Sequence, residues 1–567
     1  MTIFDYLFAA IPMLGTLILV HELGHFLAAK ACGVRVLKFS LGFGSPIGFG
    51  QFRMRWLRGG TEYVVAWFPL GGFVKMLGEM QPGGEVAEPA VIDARPDEYL
   101  NAKSTWQKLL ISFAGPAMNL LLPVVAFAVV LWVGVPRATT VVGTVERGSP
   151  AAEVGVEPGD RILSIDAQEV TWWQDASQIV AEVAGSTLRL VVERDAETLH
   201  FDVPVERRSS LDVFGAVADV GWIGLRSRRL PTLLGVPSND VPAAVAGLRS
   251  GDRVVKVGSV EVEDWEELEA AYVEAGRASG FGRIDLEVLR YEDGALEPTT
   301  QQVSVPALPD LAHLGIISAT ILLNAVSPGM PAEEAGLERG DLLLSLDGHP
   351  IGSFESFQNS VLTSGGRSLE IAYARDGATH DVSIQPRLKS VSGPLDIEGM
   401  TEERYFIGIQ HALAALPGDS ALDLVRNPIV ALPRAIEMTV DMTSVFLLGI
   451  GKLISGEVGT DKLAGPIGIA EIARKSLDLG WQAYLSTMIL ISINLGIVNL
   501  LPIPILDGGQ MIIYLVEGIR RAPISLRSRE IVQQAGLIMI VMVMALAFWN
   551  DLSRHWARFV EWLGTAL

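Results

Sequence analysis

The sequence has little cysteine and too little positive charge to balance its acidic residues, and both shortages exclude classes of protein. Cys32 is the only cysteine among 567 residues, so the fold cannot depend on internal disulfides. Lys and Arg number 44 against 65 Asp and Glu, which gives a net charge of −21. A nucleic-acid partner is not expected, because phosphate recognition needs a basic surface.

Charged residues are also sparse, at 19% of the chain, whereas 49% of the residues are hydrophobic. The apolar surplus is concentrated in four stretches, at roughly 3–31, 109–135, 481–501 and 531–549. Each is about long enough to cross a ~30 Å hydrocarbon layer, which takes about 20 helical residues. The sequence therefore predicts a multi-pass α-helical membrane protein with four spans, and its length predicts several domains.

The distribution of Lys and Arg predicts the orientation of the spans. Nine basic residues lie between Arg35 and Lys108, after the first span, and four lie between Arg520 and Arg529, before the last span. The positive-inside rule places both links in the cytoplasm. The acidic segment 136–480 is then expected on the outer side of the membrane.

The middle of the chain contains an internal repeat with a period of about 90 residues, the size of a domain. In each copy a Pro-Ala pair is followed by a Gly, then by a Gly-Asp pair and an apolar strand, with the acids at Asp160, Asp252 and Asp341. Short Gly-containing loops centred on Gly224, Gly315 and Gly408 recur with the same period.

This repeat resembles the PDZ domain in its bacterial, circularly permuted form. The resemblance implies three tandem β-rich PDZ domains, at 137–208, 209–306 and 307–410. Their loops at Gly224, Gly315 and Gly408 would offer backbone N–H groups to a peptide carboxylate, and the adjacent strand edge would accept the peptide as an extra strand. The alternative is that the repeats are rigid spacers that bind nothing.

The most distinctive polar motif, His21-Glu22-Leu23-Gly24-His25, lies inside the first apolar stretch. Two His at i and i+4 share one helical face, so both imidazoles can bind one cation. Glu22 is displaced around the helix, where it can take a proton from an attacking water without binding the metal. The motif can arise by chance, but ionisable groups inside a span are functional by default, because their burial is costly.

Two His leave zinc short of a protein ligand, so the third ligand must come from another span. The best candidate is Asp507, which follows Pro502 and Pro504 and precedes Gly508-Gly509. The prolines interrupt the third span, and we expect the glycines to allow a sharp turn. Broken backbone at membrane depth survives only when it is buried in protein or lines a wet cavity. The ligand types suit Zn²⁺, although they do not exclude other divalent ions.

Together these motifs resemble the site-2 protease family of metalloproteases, M50, and more closely its bacterial branch that regulates sigma-E. The segment Ala114-Gly115-Pro116 with Asn119 also matches, as do residues 61–65, 69–76, 465–470 and 499–509. Two features depart from the family pattern: three PDZ copies replace the usual two, and Gln510 stands where His is common.

The resemblance implies that His21, His25 and Asp507 bind zinc and that Glu22 is the general base. The implied substrate-binding residues are Asn499, Pro502 and Pro504, together with Tyr63, Val64 and Val65 of a membrane-re-entrant β-element. The implied order is an N-terminal membrane half (1–136), the PDZ domains, periplasmic gating helices (411–480) and a C-terminal membrane half (481–567). Within the gating segment, 423–453 is expected to lie at the membrane interface rather than to form a fifth span.

The expected function is therefore that of an intramembrane zinc metalloendopeptidase of the bacterial inner membrane, with its active site in the cytoplasmic half of the bilayer. Its substrates would be single-span proteins, such as anti-sigma factors or remnant signal peptides, whose periplasmic part an upstream site-1 protease has already trimmed. The alternatives are a non-catalytic PDZ membrane scaffold, a zinc transporter, and a metalloprotease whose site faces the outer space.

Overall fold

A computed structural model describes residues 3–48, 52–79, 94–211, 217–280, 282–291, 297–319, 321–392, 401–412, 415–457, 459 and 463–566. The chain divides into two compact units. The membrane unit comprises Met1–Gly134, Ser392–Thr401 and Leu424–Leu567, and the repeat unit comprises Val135–Val391 and Glu402–Asp423.

The helices, in chain order, are α1 Ile3–Ala31, α2 Thr105–Val133, α3 Pro150–Glu153, α4 Trp173–Glu182, α5 Pro242–Val245, α6 Trp265–Ala278, α7 Leu311–Leu314, α8 Pro331–Glu334, α9 Phe354–Leu362, α10 Pro428–Ser455, α11 Pro466–Asp478, α12 Trp481–Leu500, α13 Asp507–Arg520 and α14 Leu526–Ala566. The strands are β1 Val36–Pro46, β2 Arg55–Arg58, β3 Thr61–Met76, β4 Val135–Ala138, β5 Thr144–Val145, β6 Arg161–Ile165, β7 Gln168–Glu169, β8 Thr187–Arg194, β9 Glu197–Pro204, β10 Glu206–Leu211, β11 Val217–Trp222, β12 Leu225–Arg226, β13 Leu234–Gly235, β14 Arg253–Val257, β15 Val260–Glu261, β16 Arg283–Arg290, β17 Thr299–Pro306, β18 Ile317–Ser318, β19 Leu323–Val326, β20 Leu342–Leu346, β21 His349–Pro350, β22 Leu369–Arg375, β23 Ala378–Ile384, β24 Arg387–Ser392, β25 Thr401–Phe406, β26 Ile409–His411 and β27 Ser420–Asp423.

Five helices among the described residues are long and apolar enough to cross a membrane: α1, α2, α10, α12 and α14. Four of them cover the apolar stretches that the sequence predicted. The fifth, α10, is a continuous helix of 28 residues in the segment expected to lie at the interface. A helix of this length and composition can either cross a membrane or lie at its interface.

The helices of the membrane unit pack in two clusters. In one, the C-terminal half of α2 packs against α10 and α12, with Ala435 and Ile493 fully buried. In the other, the N-terminal half of α1 packs against α11 and α12 around Met13 and Ala473. The Asp551 carboxylate of α14 accepts hydrogen bonds from the backbone N–H groups of Gly465, Ile467 and Gly468, so the start of α11 is capped by a side chain from α14.

Between α1 and α2 the chain forms a small sheet in which β1 lies between two arms of a bent β3. Phe39 of β1 pairs with Tyr63 in the first arm and with Val74 in the second. The first arm also pairs with β2, where Tyr63 faces Trp56. This sheet lies in the segment for which the sequence predicted a re-entrant β-element.

The repeat unit contains three four-stranded sheets with the same strand order, β7-β6-β8-β9, β15-β14-β16-β17 and β21-β20-β22-β23. Each sheet carries one longer helix, respectively α4, α6 and α9, between its second and third strands in chain order. Each repeat has a separate hydrophobic core. The sequence period therefore corresponds to a repeated structural unit.

The Asp of each Gly-Asp pair holds its repeat together. The carboxylate is almost fully buried and accepts two hydrogen bonds of 2.6–2.8 Å from an Arg at the end of the third strand. The same Arg donates to the carbonyl of the Gly that precedes the turn. These hydrogen bonds raise the pKa of Arg194 and of Arg375, which keeps both guanidinium groups charged. The pairs are Asp160–Arg194, Asp252–Arg290 and Asp341–Arg375.

The repeat boundaries differ from those predicted. Leu225 pairs with Val145 at the start of the first repeat, and Ile317 pairs with Gly235 at the start of the second. The loops at Gly224 and Gly315 therefore close the repeat that precedes them, and the boundaries placed at 208 and 306 fall too early. The outer boundaries also change, because β27 pairs with β4 and so assigns residues up to Asp423 to the repeat unit rather than to the gating helices.

Candidate metal centre

Helix α1 brings His21 and His25 onto one face, as the spacing predicted. Both side chains are buried, and their Nε2 atoms lie 3.2 Å apart. The Nδ1–H of His25 donates to the carbonyl of Ile111 in α2 over 2.8 Å. This hydrogen bond orients the ring, and its Nε2 is directed towards His21 and Asp507.

Asp507 joins the two imidazoles from the other end of the chain. Helix α12 ends at Leu500, the segment with the two prolines is irregular, and Asp507 is the first residue of α13. Its carboxylate oxygens lie 3.2 Å from Nε2 of His21 and 3.4 Å from Nε2 of His25. The three potential ligand atoms all lie within 4.8 Å of one another.

These three residues fit a zinc ion. The Nε2 atoms of both imidazoles and a carboxylate oxygen of Asp507 lie close enough together to bind one cation. Two imidazoles and one carboxylate are a donor set of catalytic zinc sites, which keep the fourth position open. The residues that would hold the ion are thus His21, His25 and Asp507.

Glycines allow the elements around these ligands to approach closely. A Cβ on Gly24 would lie 2.2 Å from the carbonyl oxygen of Ala114, so α1 and α2 are in backbone contact. A Cβ on Gly115 would lie 2.2 Å from Nε2 of His25. Gly115 is therefore needed to make room for the imidazole.

Glu22 is half-buried beside the second arm of β3. A Cβ added to Gly72 would lie 2.9 Å from the Cγ of Glu22, so the strand passes close to this side chain. The ionisable neighbours of Glu22 include His25, His21 and Asp507. Glu79, which follows β3, was not predicted as part of the site. It accepts a hydrogen bond from the Met76 N–H, and its electrostatic neighbours include Glu22, His25 and Asp507.

Tyr63 and Val64, two of the predicted substrate-binding residues of the β-element, do not lie at a sheet edge. Tyr63 and Val64 pair with β1 on one side and with β2 on the other, because the first arm of β3 is an inner strand. The second arm, from Gly72 to Met76, pairs with β1 alone among the described residues. The edge next to Glu22 is thus Gly72–Met76, a consequence of the bend in β3 that no local pattern revealed.

The broken segment has the predicted prolines but not the predicted glycine role. Asn499 lies half-buried in the last turn of α12, and Pro502 and Pro504 lie in the irregular link. Gly508 and Gly509 are in the first turn of α13 without positive φ. A Cβ on either would lie within 2.3 Å of a carbonyl oxygen of residues 500–503, so these glycines permit close approach rather than a sharp turn.

The three predicted carboxylate loops share a conformation but not their surroundings. Gly224, Gly315 and Gly408 all have positive φ, between 80° and 87°. In the first repeat a cavity of about 180 Å³ adjoins the loop, lined by Trp173 and Val180 of α4. In the third repeat the rings of Phe354 and His411 lie 3.8 Å apart between α9 and β26. The loop at Gly224 in the first repeat therefore adjoins open space.

Asn119 of α2 was noted in the sequence only as part of a motif. Its side chain is fully buried, and its Nδ2 lies 3.1 Å from Nδ1 of His21. The signal was available, because an Asn in the middle of an apolar span is costly to bury without a partner.

A protein-family model and two named relatives match nearly the whole chain. A model of peptidase family M50 matches residues 9–543. The chain is 29% identical over 545 residues to "Regulator of sigma-E protease RseP" of Escherichia coli K12, which covers 96% of this chain and 97% of that protein. It is 30% identical over 561 residues to a "Putative zinc metalloprotease" of Neisseria meningitidis serogroup A, with 98% and 99% covered. A solved PDZ domain of an SdrC-like protein from Listeria monocytogenes covers 15% of this chain and 85% of that chain, at 20% identity and a TM-score of 0.12.

Proposed function

The chain belongs to peptidase family M50, the site-2 metalloproteases, and we propose that it hydrolyses peptide bonds inside the membrane at the centre formed by His21, His25 and Asp507. The convergence of these three ligands within 4.8 Å carries the proposal. The family is zinc-dependent, and the donor set suits Zn²⁺.

We infer four membrane crossings, by α1, α2, α12 and α14. α1 and α12 both run towards the metal centre and α2 runs away from it. Helix α10 begins beside the far end of α2, where Val425 donates a hydrogen bond to the Leu131 carbonyl. Helix α12 runs towards the metal centre, so it also starts on the side away from that centre. The segment between the start of α10 and the start of α12 therefore crosses the membrane an even number of times. Helix α11, with 13 residues, is too short to cross, so α10 does not cross either.

The inferred orientation follows the positive-inside rule. The basic links before α2 and before α14 would be cytoplasmic, which puts the metal centre in the cytoplasmic half of a bacterial inner membrane. The repeat unit would be periplasmic, with α10 and α11 as gating helices at the outer interface.

Each residue of the site has a proposed role. Zinc supplies Lewis acidity, which makes water a stronger acid and a peptide carbonyl a better electrophile. The Glu22 carboxylate takes the proton of the attacking water and returns it to the leaving amine. Asn499 would hydrogen-bond the unwound substrate backbone beside Pro502 and Pro504. The edge Gly72–Met76, which pairs only with β1 in the part of the chain that the structure describes, would hold that backbone as an added strand in place of Tyr63–Val65.

The proposed substrates are single-span proteins whose periplasmic domain an upstream site-1 protease has removed, such as anti-sigma factors or remnant signal peptides. A helical substrate must unwind before water can reach its amide, because that amide is hydrogen-bonded within the helix. Three tandem PDZ domains would exclude substrates that still carry a bulky outer part. Their loops at Gly224, Gly315 and Gly408 are the proposed carboxylate-binding elements, and the open cavity favours the first repeat.

The rival functions use the same features differently. A PDZ scaffold would treat the metal as structural, but the position of Glu22 among the three ligands has no purpose in a structural site. A zinc transporter would need a path of ligands through the membrane. The described residues contain one group that could hold a metal ion, which favours a single catalytic centre.

The deciding experiment compares the wild-type protein with Glu22→Gln on a purified single-span substrate, with and without its periplasmic domain. We expect Glu22→Gln to retain zinc and to lose about 10²–10⁴-fold in cleavage rate, as is usual when a general base is removed. Glu269→Gln in the repeat unit is the matched control and should cleave normally. Full cleavage by Glu22→Gln would contradict the mechanism, whereas zinc uptake into liposomes without any cleavage would support a transporter.

A further inference from the structure

Asn119 is the buried polar side chain in α2 for which the proposed mechanism has no role. Its amide lies against His21, and Ser492 of α12 donates to its backbone carbonyl over 2.7 Å. Its Oδ1 has no hydrogen-bond partner within the described part of the chain, although the side chain is fully buried. An orphaned amide oxygen at such a position costs roughly 1–3 kcal/mol, so a compensating role is expected.

The arrangement of hydrogen bonds around the two imidazoles assigns their tautomers. Asn119 Nδ2 donates to Nδ1 of His21, so the proton of that ring is on Nε2, from which it donates to Asp507. His25 has a proton on Nδ1, because the Ile111 carbonyl can only accept. In this arrangement the proton of His21 is on the ring nitrogen that faces Asp507.

Metal binding by His21 requires its tautomer to change. A zinc ion on Nε2 needs the lone pair of that atom, so the proton must be on Nδ1. An N–H at Nδ1 would then face the Nδ2 donor of Asn119, and two donors cannot pair. Turning the amide over places Oδ1 against Nδ1–H and gives the orphaned oxygen its partner.

We propose that Asn119 is a positioning residue that selects the tautomer of His21, and that its amide turns over when zinc binds. An amide serves both states because it carries a donor and an acceptor of nearly equal size. A carboxylate would stabilise only the metal-bound tautomer, and an apolar side chain would stabilise neither. This inference rests on the proposed zinc site.

The test measures zinc affinity rather than cleavage, by competition with a chromophoric chelator on the purified full-length chain. Asn119→Leu removes both hydrogen-bonding groups at similar volume, and we expect its zinc affinity to fall about 10–100-fold, the usual effect of losing a partner of a ligating His. Asn119→Asp keeps an acceptor at the same place, and its affinity should equal or exceed that of the wild type. Ser492→Ala, which loses only the contact to the backbone carbonyl, should stay within about threefold of the wild type.

Two results would overturn the inference: an affinity within threefold of the wild type for Asn119→Leu, or a loss for Asn119→Asp as large as that for Asn119→Leu. If Asn119→Leu does not fold, Asn119→Asp decides, and a tenfold weaker affinity in that variant rejects the inference. A wild-type chain that binds no zinc would instead reject the proposed function, so the two failures are distinguishable.

Discussion

Asp507 in the membrane unit is half-buried and Asp252 in the repeat unit is fully buried, and the two carboxylates differ in the groups around their oxygens. Asp252 receives two N–H groups of Arg290 and the backbone N–H of Arg249, so its hydrogen bonding is complete within the protein. Asp507 faces the Nε2 atoms of two imidazoles, at 3.2 Å and 3.4 Å from its oxygens. A carboxylate that receives N–H groups from its neighbours stabilises a fold, whereas one that faces two imidazole nitrogens is suited to binding a cation.

The largest expected effect of a single change follows from removing charge at the metal centre. We expect Asp507→Asn to bind no zinc and to cleave more than about 100-fold more slowly than the wild type. Losing only a hydrogen-bond partner of a ligand costs up to about 100-fold, so losing a ligand itself should cost more. The stability of the repeat unit, measured by hydrogen exchange, should be the same as in the wild type. Normal zinc content in this variant would show that Asp507 is not a ligand and would remove the contrast with Asp252.

The second effect is on stability alone. Arg290→Met leaves the buried Asp252 carboxylate unpaired and should destabilise the second repeat by about 3–5 kcal/mol. Hydrogen exchange of β14 and β16 in the full-length protein measures this loss. Arg283→Met, at the exposed start of the same strand, should change exchange protection by less than about 0.5 kcal/mol. Equal effects of the two substitutions would mean that the buried pair has no special importance.

Asp551 is a hydrogen-bonded carboxylate in the membrane unit. It therefore tests whether hydrogen bonding or location in the chain accounts for the difference between Asp507 and Asp252. Asp551→Ala removes the acceptor for three N–H groups at the start of α11 and should cost about 0.5–2 kcal/mol of local stability. Faster hydrogen exchange confined to the first turns of α11, with zinc content unchanged, is the expected result. Loss of zinc in this variant would show that the cap supports the metal centre. The control is Asp478→Ala, which removes an exposed ion pair at the other end of α11.

The smallest effect is expected for an exposed ion pair in the repeat unit. Nη2 of Arg147 lies 3.5 Å from Oε1 of Glu269, and the two side chains are 60% and 45% exposed. Arg147→Ala should therefore change stability by no more than about 1 kcal/mol, and less in high salt. A change in the melting temperature as large as that for Arg290→Met would contradict the view that burial makes the difference.

Several features could be predicted from the sequence because their cause is local. Helical spacing places His21 and His25 on one face, prolines end α12 before Asp507, and the 90-residue period corresponds to three sheets of one topology. The misplaced features depend on distant partners. The repeat boundaries were set too early because the closing strand pairs with the start of its repeat. Tyr63 lies in an inner strand because β2 pairs with its other side, which no local pattern indicated.

The sequence by itself determined which groups carry the chemistry: two His and a Glu in one apolar helix, an Asp beyond a broken one, and a repeated Gly-Asp signature. Only the tertiary structure decided what surrounds them, because a hydrogen bond depends on atoms that meet across hundreds of residues. It gave the Asp of each repeat an Arg partner, and it placed an amide and a carbonyl of α2 behind the two imidazoles. The same residue type is thereby a structural anchor in one unit and a candidate metal ligand in the other.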